Sequence, residues 1–98
     1  MIVLTAAHLG QIVATPGALD ALATADTAPA ALLRRHLAHD WGDLDAHDRA
    51  ANTQALRDGS RLLSAYTLAE GVTVWIITEA ADEHGYRPAT TLLLPSEY

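Results

Sequence analysis

The sequence predicts an α+β domain in which short N-terminal helices pack on a C-terminal three-stranded antiparallel meander. Three observations carry this. Helix-start signals recur at Thr15-Pro16, at Thr27 with Pro29, and at Asp45. After Gly59 the hydrophobic period changes from helical to alternating. The rest of the chain holds three runs rich in Leu, Tyr, Val, Trp, Ile and Thr, side chains that suit a pleated surface.

The elements follow in order. Residues 1–14 read as extended or irregular, with Gln11-Ile12-Val13-Ala14 the best short strand candidate. Thr15 is a good N-cap and Pro16 suits the first helical position, so a short helix runs from there to near Ala25. A second helix starts at Thr27. Leu33, Leu37 and Trp41 recur every four residues on one stripe of it, and Gly42 stops it. Asp45 caps a third helix, with Asp48 three residues on near the positive end of the helix dipole. Ala50, Ala51, Ala55 and Leu56 carry that helix to Asp58, and Gly59 is a natural left-handed terminator. Arg61 to Leu68 and Val72 to Glu79 form a hairpin around Ala69-Glu70-Gly71. Val74-Trp75-Ile76-Ile77 is apolar on both faces, which places that strand centrally. Residues 80–88 make a looser turn, Ala89 to Leu94 is the third strand, and Pro95 ends it.

The chain of 98 residues makes one domain, 1–98, without repeats, linkers or low-complexity tracts. Half of its residues are hydrophobic, but many are Ala, Phe is absent and aromatics are 5%. The core is therefore thin, and a partner surface or a homodimer would complete it. The net charge is −6 and every basic side chain is Arg. With 6 Arg against 12 acids, and only Arg34-Arg35 adjacent, direct binding of nucleic acid or of an anionic membrane is not expected. Without Cys there is neither disulfide nor thiolate chemistry. Met1-Ile-Val-Leu has no positive n-region before it, and no apolar stretch is long enough to span a bilayer, so a cytoplasmic protein is expected.

Residues 36–48 concentrate the candidate chemistry: His36, His39, His47, Asp40, Asp43, Asp45 and Asp48. His and carboxylate at helical spacing can hold a metal, and a His36/Asp40/Asp43 metal hydrolase is one reading. The helical wheel puts His36 and Asp40 inward beside Leu33 and turns His39 outward, so only two ligands converge. A His36–Asp40 contact one turn apart accounts for them more simply. Asp43-x-Asp45-x-His47 lacks the Gly and the bidentate Glu of a calcium loop, having Asp48 and Gln54 there. Arg49, Asn52 and Thr53 share the side of Leu56, the only large apolar residue of helix three, and polar groups there need partners. Arg49 is expected to pair with Asp43 or Asp45, and Asn52 to bond loop backbone. The cluster of His36, Asp40, Trp41, Asp43, Asp45, Arg49 and Asn52 is accordingly read as a polar corner, structural first and partner-contacting second. Ser60, Ser64 and Ser96 lack a G-x-S-x-G frame, and without Lys no phosphate-binding P-loop is possible. No enzyme signature, cofactor or metal follows.

The segments Thr15-Pro-Gly-Ala-Leu-Asp-Ala-Leu22, Arg35-His36 through Asp40-Trp-Gly-Asp-Leu-Asp45, Asp48-Arg49, Asn52 and Gly59-Ser-Arg-Leu-Leu-Ser-Ala-Tyr66 run in this order. Val74-Trp-Ile-Ile-Thr-Glu79 and Thr91-Leu-Leu-Leu-Pro-Ser-Glu-Tyr98 follow. Together they resemble a family of short bacterial proteins of plasmids and integrated mobile elements, labelled plasmid-related protein or type I restriction subunit M. The resemblance spans almost the whole chain. It implies a mobile-element context and no biochemical activity. A methyltransferase subunit would need a Gly-rich βαβ cofactor domain and an Asn/Asp-Pro-Pro-aromatic motif, and neither is present. The expected function is thus a non-enzymatic interaction module with an unknown protein partner. The alternative is an inhibitor of a host defence nuclease, in which Asp40, Asp43, Asp45 and Asp48 stand in for DNA phosphates.

Overall fold

A computed structural model describes residues 6–98. Three helices lie against one face of a four-stranded sheet. A 3-10 turn, Ala6–Leu9, leads through Gly10 into β1 (Gln11–Ala14). Helices α1 (Pro16–Thr24), α2 (Pro29–Leu37) and α3 (Ala46–Asp58) follow, then β2 (Leu62–Thr67), β3 (Thr73–Thr78), β4 (Ala89–Leu93) and a 3-10 turn at Pro95–Glu97. The α+β class is as the sequence predicts. No helix among the described residues is long and apolar enough to cross a membrane.

The sheet differs from the expected three-stranded antiparallel meander. Its order is β1-β4-β3-β2: β2, β3 and β4 pair antiparallel, and β1 adds to β4 in parallel. The expected segregation of helices toward the N-terminus also fails, since β1 precedes α1 and a 3-10 turn closes the chain. The parallel pairing joins residues far apart in the chain, Gln11 with Ala89 and Ala14 with Leu92, so no turn between them advertises it. Gly10 makes it possible. It has φ +65°, and a Cβ there would sit 2.2 Å from the Arg87 carbonyl oxygen. Residues 6–9, expected to be extended or irregular, are helical instead; residues 1–5 lie outside the described residues.

Local chemistry explains the helix ends. Thr15 accepts from the Ala18 N–H and caps α1, and Asp45 accepts from the Asp48 N–H and caps α3. Gly59 ends α3 in the left-handed region, as expected. The start of α2 is Ala28 rather than Thr27, whose hydroxyl bonds back to the Ala25 carbonyl. Its end is also earlier than Gly42. His39 takes φ +63°, the Asp40 N–H reaches the Arg35 carbonyl and the His39 N–H reaches that of His36, a Schellman closure. Trp41 therefore stands beyond the helix. The buried positions of α2 are Leu32 and His36, and Leu33 and Leu37 are only partly covered.

The core lies between the helices and one sheet face. One cluster joins Ala18, Leu22 and Leu32 to Tyr66, Val74, Ile76 and Leu92. A smaller one joins Trp41, Ala55 and Leu56 to Leu62. Arg87 ties the far end together, donating to the carbonyls of Ala55, Ser60 and Glu79.

Two glycines with nearly the same backbone conformation separate strain from contact. Gly42 (φ +75°) packs so closely on β2 that a Cβ would lie 2.0 Å from the Ala65 carbonyl oxygen, whereas a Cβ on Gly71 (φ +81°) meets nothing within 4 Å. Gly71→Ala should cost about 1–2 kcal/mol, the left-handed penalty alone. Gly42→Ala should cost more, on the order of 3 kcal/mol or above. Urea melts of the two variants compare them directly.

Candidate functional site

His36 is the centre of the polar corner and is fully buried. Helix α2 presents it to the sheet face where β2, β3 and β4 place Ser64, Thr78 and Thr90 among apolar neighbours, and all three are fully buried as well. Nδ1 lies 2.6 Å from Ser64 Oγ and Nε2 lies 2.9 Å from Thr78 Oγ1. Thr78 Oγ1 is 2.8 Å from Thr90 Oγ1, which donates to the Leu9 carbonyl at 2.7 Å.

Proton bookkeeping orders this line. The Thr90 hydroxyl hydrogen goes to Leu9, so Thr78 donates to Thr90 and must itself accept from His36 Nε2–H. Nδ1 is then the acceptor, and Ser64 donates to it. The ring is the neutral Nε2–H tautomer with both nitrogens satisfied. Burial pushes its pKa down to about 4, with the charges of His39 and Arg87 acting in the same direction. Ser64 and His36 stand at the spacing of a nucleophile and its base. The third member is a Thr hydroxyl, however, and Ser64 is shut away from solvent.

The expected His36–Asp40 contact is not formed. Asp40 is exposed and pairs with Arg35 at 2.6 Å, which holds its carboxyl below the usual range. The Arg35 guanidinium also lies 4.4 Å from the centre of the Tyr66 ring. Tyr66 donates to the Asp40 backbone carbonyl, and burial raises its pKa to about 12. Arg49 pairs with neither Asp43 nor Asp45. It donates instead to the carbonyls of Gly42 and Leu44. Asp43 accepts from Thr67 instead. Asn52 bonds backbone, but of strand β2 rather than of a loop: its amide donates to the Leu63 carbonyl and its oxygen accepts from the Leu63 N–H.

His36, Asp40 and Asp43 therefore do not converge on a common point. Among the described residues the His/Asp group that does come together is Asp45, His47 and Asp48, whose ligand atoms lie within 4.8 Å of one another at the start of α3. Trp41 is buried, with its ring edge-on to His36 at 5.6 Å and stacked on His39 at 5.3 Å and 11°. The residues missed in the sequence are Ser64, Thr78 and Thr90. Their signal was a small hydroxyl at core-facing positions of each strand, legible only with the register known.

Asn52 and the Trp41–Asp43 segment have a joint effect on β2. Leu63 is satisfied by Asn52, while Ala65 donates to the Trp41 carbonyl and accepts from the Asp43 N–H. The free edge of β2 is thus plugged at Leu63 and Ala65, two of its outward-facing residues. At the opposite edge, β1 is paired on one side only among the described residues. Gln11 and Thr15 donate to the Pro88 and Leu92 carbonyls of the β4 side, which turns the backbone of Ile12 and Ala14 outward. Ile12 and Val13 are 49% and 40% exposed. No family model, curated protein or solved structure matches the chain.

Two stability outcomes follow. Because the folded pKa of His36 is below the unfolded 6.5, the native state binds fewer protons than the unfolded state. Its contribution is complete above about pH 6.5 and declines as the pH falls toward about 4, by roughly 3 kcal/mol in all. Urea melts across that range should show this slope, and His36→Gln should lose it whatever its starting stability. Trp41→Ala should cost about 3–5 kcal/mol through the cavity left against Leu56 and Leu62, and Arg49→Gln on the order of 1–3 kcal/mol, both read by denaturant melts.

Proposed function

We propose that the chain is a non-enzymatic protein-interaction module, carried on a mobile element, that works by adding a strand to the β1 edge. The asymmetry of the two sheet edges carries this reading. One edge is closed by a side-chain amide and a bridging loop, devices that stop a strand from recruiting another. The other keeps outward N–H and C=O groups at Ile12 and Ala14, with two exposed β-branched residues beside them. Such an edge offers main-chain hydrogen bonds to an extended segment, with Ile12 and Val13 supplying side-chain contacts on opposite faces.

The occupant proposed is β1 of a second copy. Two β1 edges related by a two-fold axis run antiparallel and continue the sheet from one protomer into the next, burying Ile12 and Val13 of both in an isologous contact. A dimer also extends a core that is thin by composition.

Inhibition of a defence nuclease is the second reading, resting on Asp43, Asp45 and Asp48 near one corner. Arg35 neutralises Asp40 beside them, which leaves that surface a weaker phosphate mimic than the edge is a pairing surface. A nuclease-challenge assay without protection would discard it.

Light scattering across a dilution series tests the dimer, which should dissociate on dilution. Ile12→Pro removes only an outward N–H and leaves the bonds of Gln11 and Thr15 to the β4 side in place. That variant should be monomeric with a melting midpoint close to the parent's. A parent of strictly monomeric mass at high concentration overturns the dimer.

A further inference from the structure

The edge strand β1 is short and is stopped at its two ends by different means. Gly10, just before it, takes φ +65°, and its backbone is pressed so closely on Arg87 and Pro88 that a Cβ would meet the Arg87 carbonyl oxygen at 2.2 Å. Pro16, just after Thr15, has no N–H and is the first residue of α1. Between these stops the backbone of Gln11 and Thr15 donates toward β4, so the outward N–H and C=O groups are those of Ile12 and Ala14. Ile12 and Ala14 pair with Thr90 and Leu92 and share their helix-covered face, whereas Val13 pairs with Thr91 on the other face.

We infer that the β1 strands of two copies pair in one register, with Val13 of each copy facing Val13 of the other across the two-fold axis. This rests on the strand-addition reading above and fixes its geometry. Centring the axis on Ile12 would set Ala14 opposite the partner's Gly10. That position has left the extended strand and is packed on Arg87 and Pro88. Centring it on Ala14 would set Ile12 opposite the partner's Pro16, a helical position without an N–H to donate. A centre between two residues would set outward groups against residues whose own groups point to β4. Centring on Val13 sets Ile12 opposite the partner's Ala14, and the outward N–H and C=O of both residues are all paired.

The side chains fit the same register. Ile12, 49% exposed, lies over the partner's small Ala14 on the helix side. Val13, 40% exposed, meets the partner's Val13 on the other face, in a pair without hydrogen bonds where Cα atoms approach to about 4.5 Å. Gly10 and Pro16 thus set the register between two chains as a tight turn sets it within a hairpin.

The chain has no Cys, so single substitutions report the register directly. Val13→Cys and Ile12→Cys, each in the full chain, are oxidised with glutathione disulfide and followed by mass under non-reducing conditions. Both side chains are exposed, so the reduced variants should keep the parent's melting midpoint to within a few degrees. Val13→Cys should form a disulfide-linked dimer at least about tenfold faster than Ile12→Cys, whose Cα atoms stand on a diagonal of roughly 7–8 Å at the edge of disulfide reach. Faster linkage by Ile12→Cys overturns the register, as do equal rates for the two variants, while a parent dimeric by light scattering leaves the dimer standing. A parent that stays monomeric at high concentration overturns the dimer, and the register with it.

Discussion

His36 sits where α2 crosses the sheet, and its two ring nitrogens link the helix to β2 through Ser64 and to β3 through Thr78. From Thr78 the line passes to β4 at Thr90 and ends on the Leu9 carbonyl just before β1. A single chain of four side chains thus spans a helix, three strands and the approach to the fourth. Such a line is stable only when complete, because Thr78 and Thr90 each both accept and donate and every member is buried. Removing one member strands its neighbours with the cost of unpaired buried groups. It therefore specifies how α2 docks more sharply than the surrounding Leu and Ala contacts can.

The same docking positions the rest of the corner. Once α2 ends in the left-handed turn at His39, the chain doubles back along β2. Gly42 then approaches Ala65 closely enough to form a parallel bridge. Trp41 fills the space between the corner and α3, Arg49 binds the Gly42 and Leu44 carbonyls, and Asn52 completes the cover of β2. What began as a helix end becomes a closed sheet edge. The opposite edge has no comparable device among the described residues. That difference gives the two edges different characters among the described residues, one covered by the molecule's own side chains and loop and the other paired on one side only.

The polar composition of the core also bears on pH. His36 is held neutral by burial, whereas Asp40 is held charged by Arg35 at the surface. The two respond to acid in different ranges: His36 acts first as the pH falls below the ordinary histidine value, and Asp40 only below the ordinary carboxylate range. The separation comes from burial at His36 and from the Arg35 pair at Asp40, in residues only four apart in the chain.

The sequence by itself determined what short-range physics controls. The caps at Thr15 and Asp45, the Gly59 stop, the hairpin around Gly71 and the central position of Val74–Ile77 all depend on residues within a few positions of each other. Only the tertiary structure decided the parallel pairing of β1 with β4, the inward turn of His36 without Asp40, and the choice of carbonyls over carboxylates by Arg49. The reason is the same in each case. A parallel ladder and a buried hydrogen bond join residues separated by tens of positions, and their energy depends on strand register, which local pattern leaves free. His39 shows the limit most clearly: its spacing marked it as outward-facing, but its left-handed backbone stacks the ring on Trp41 and buries Nε2.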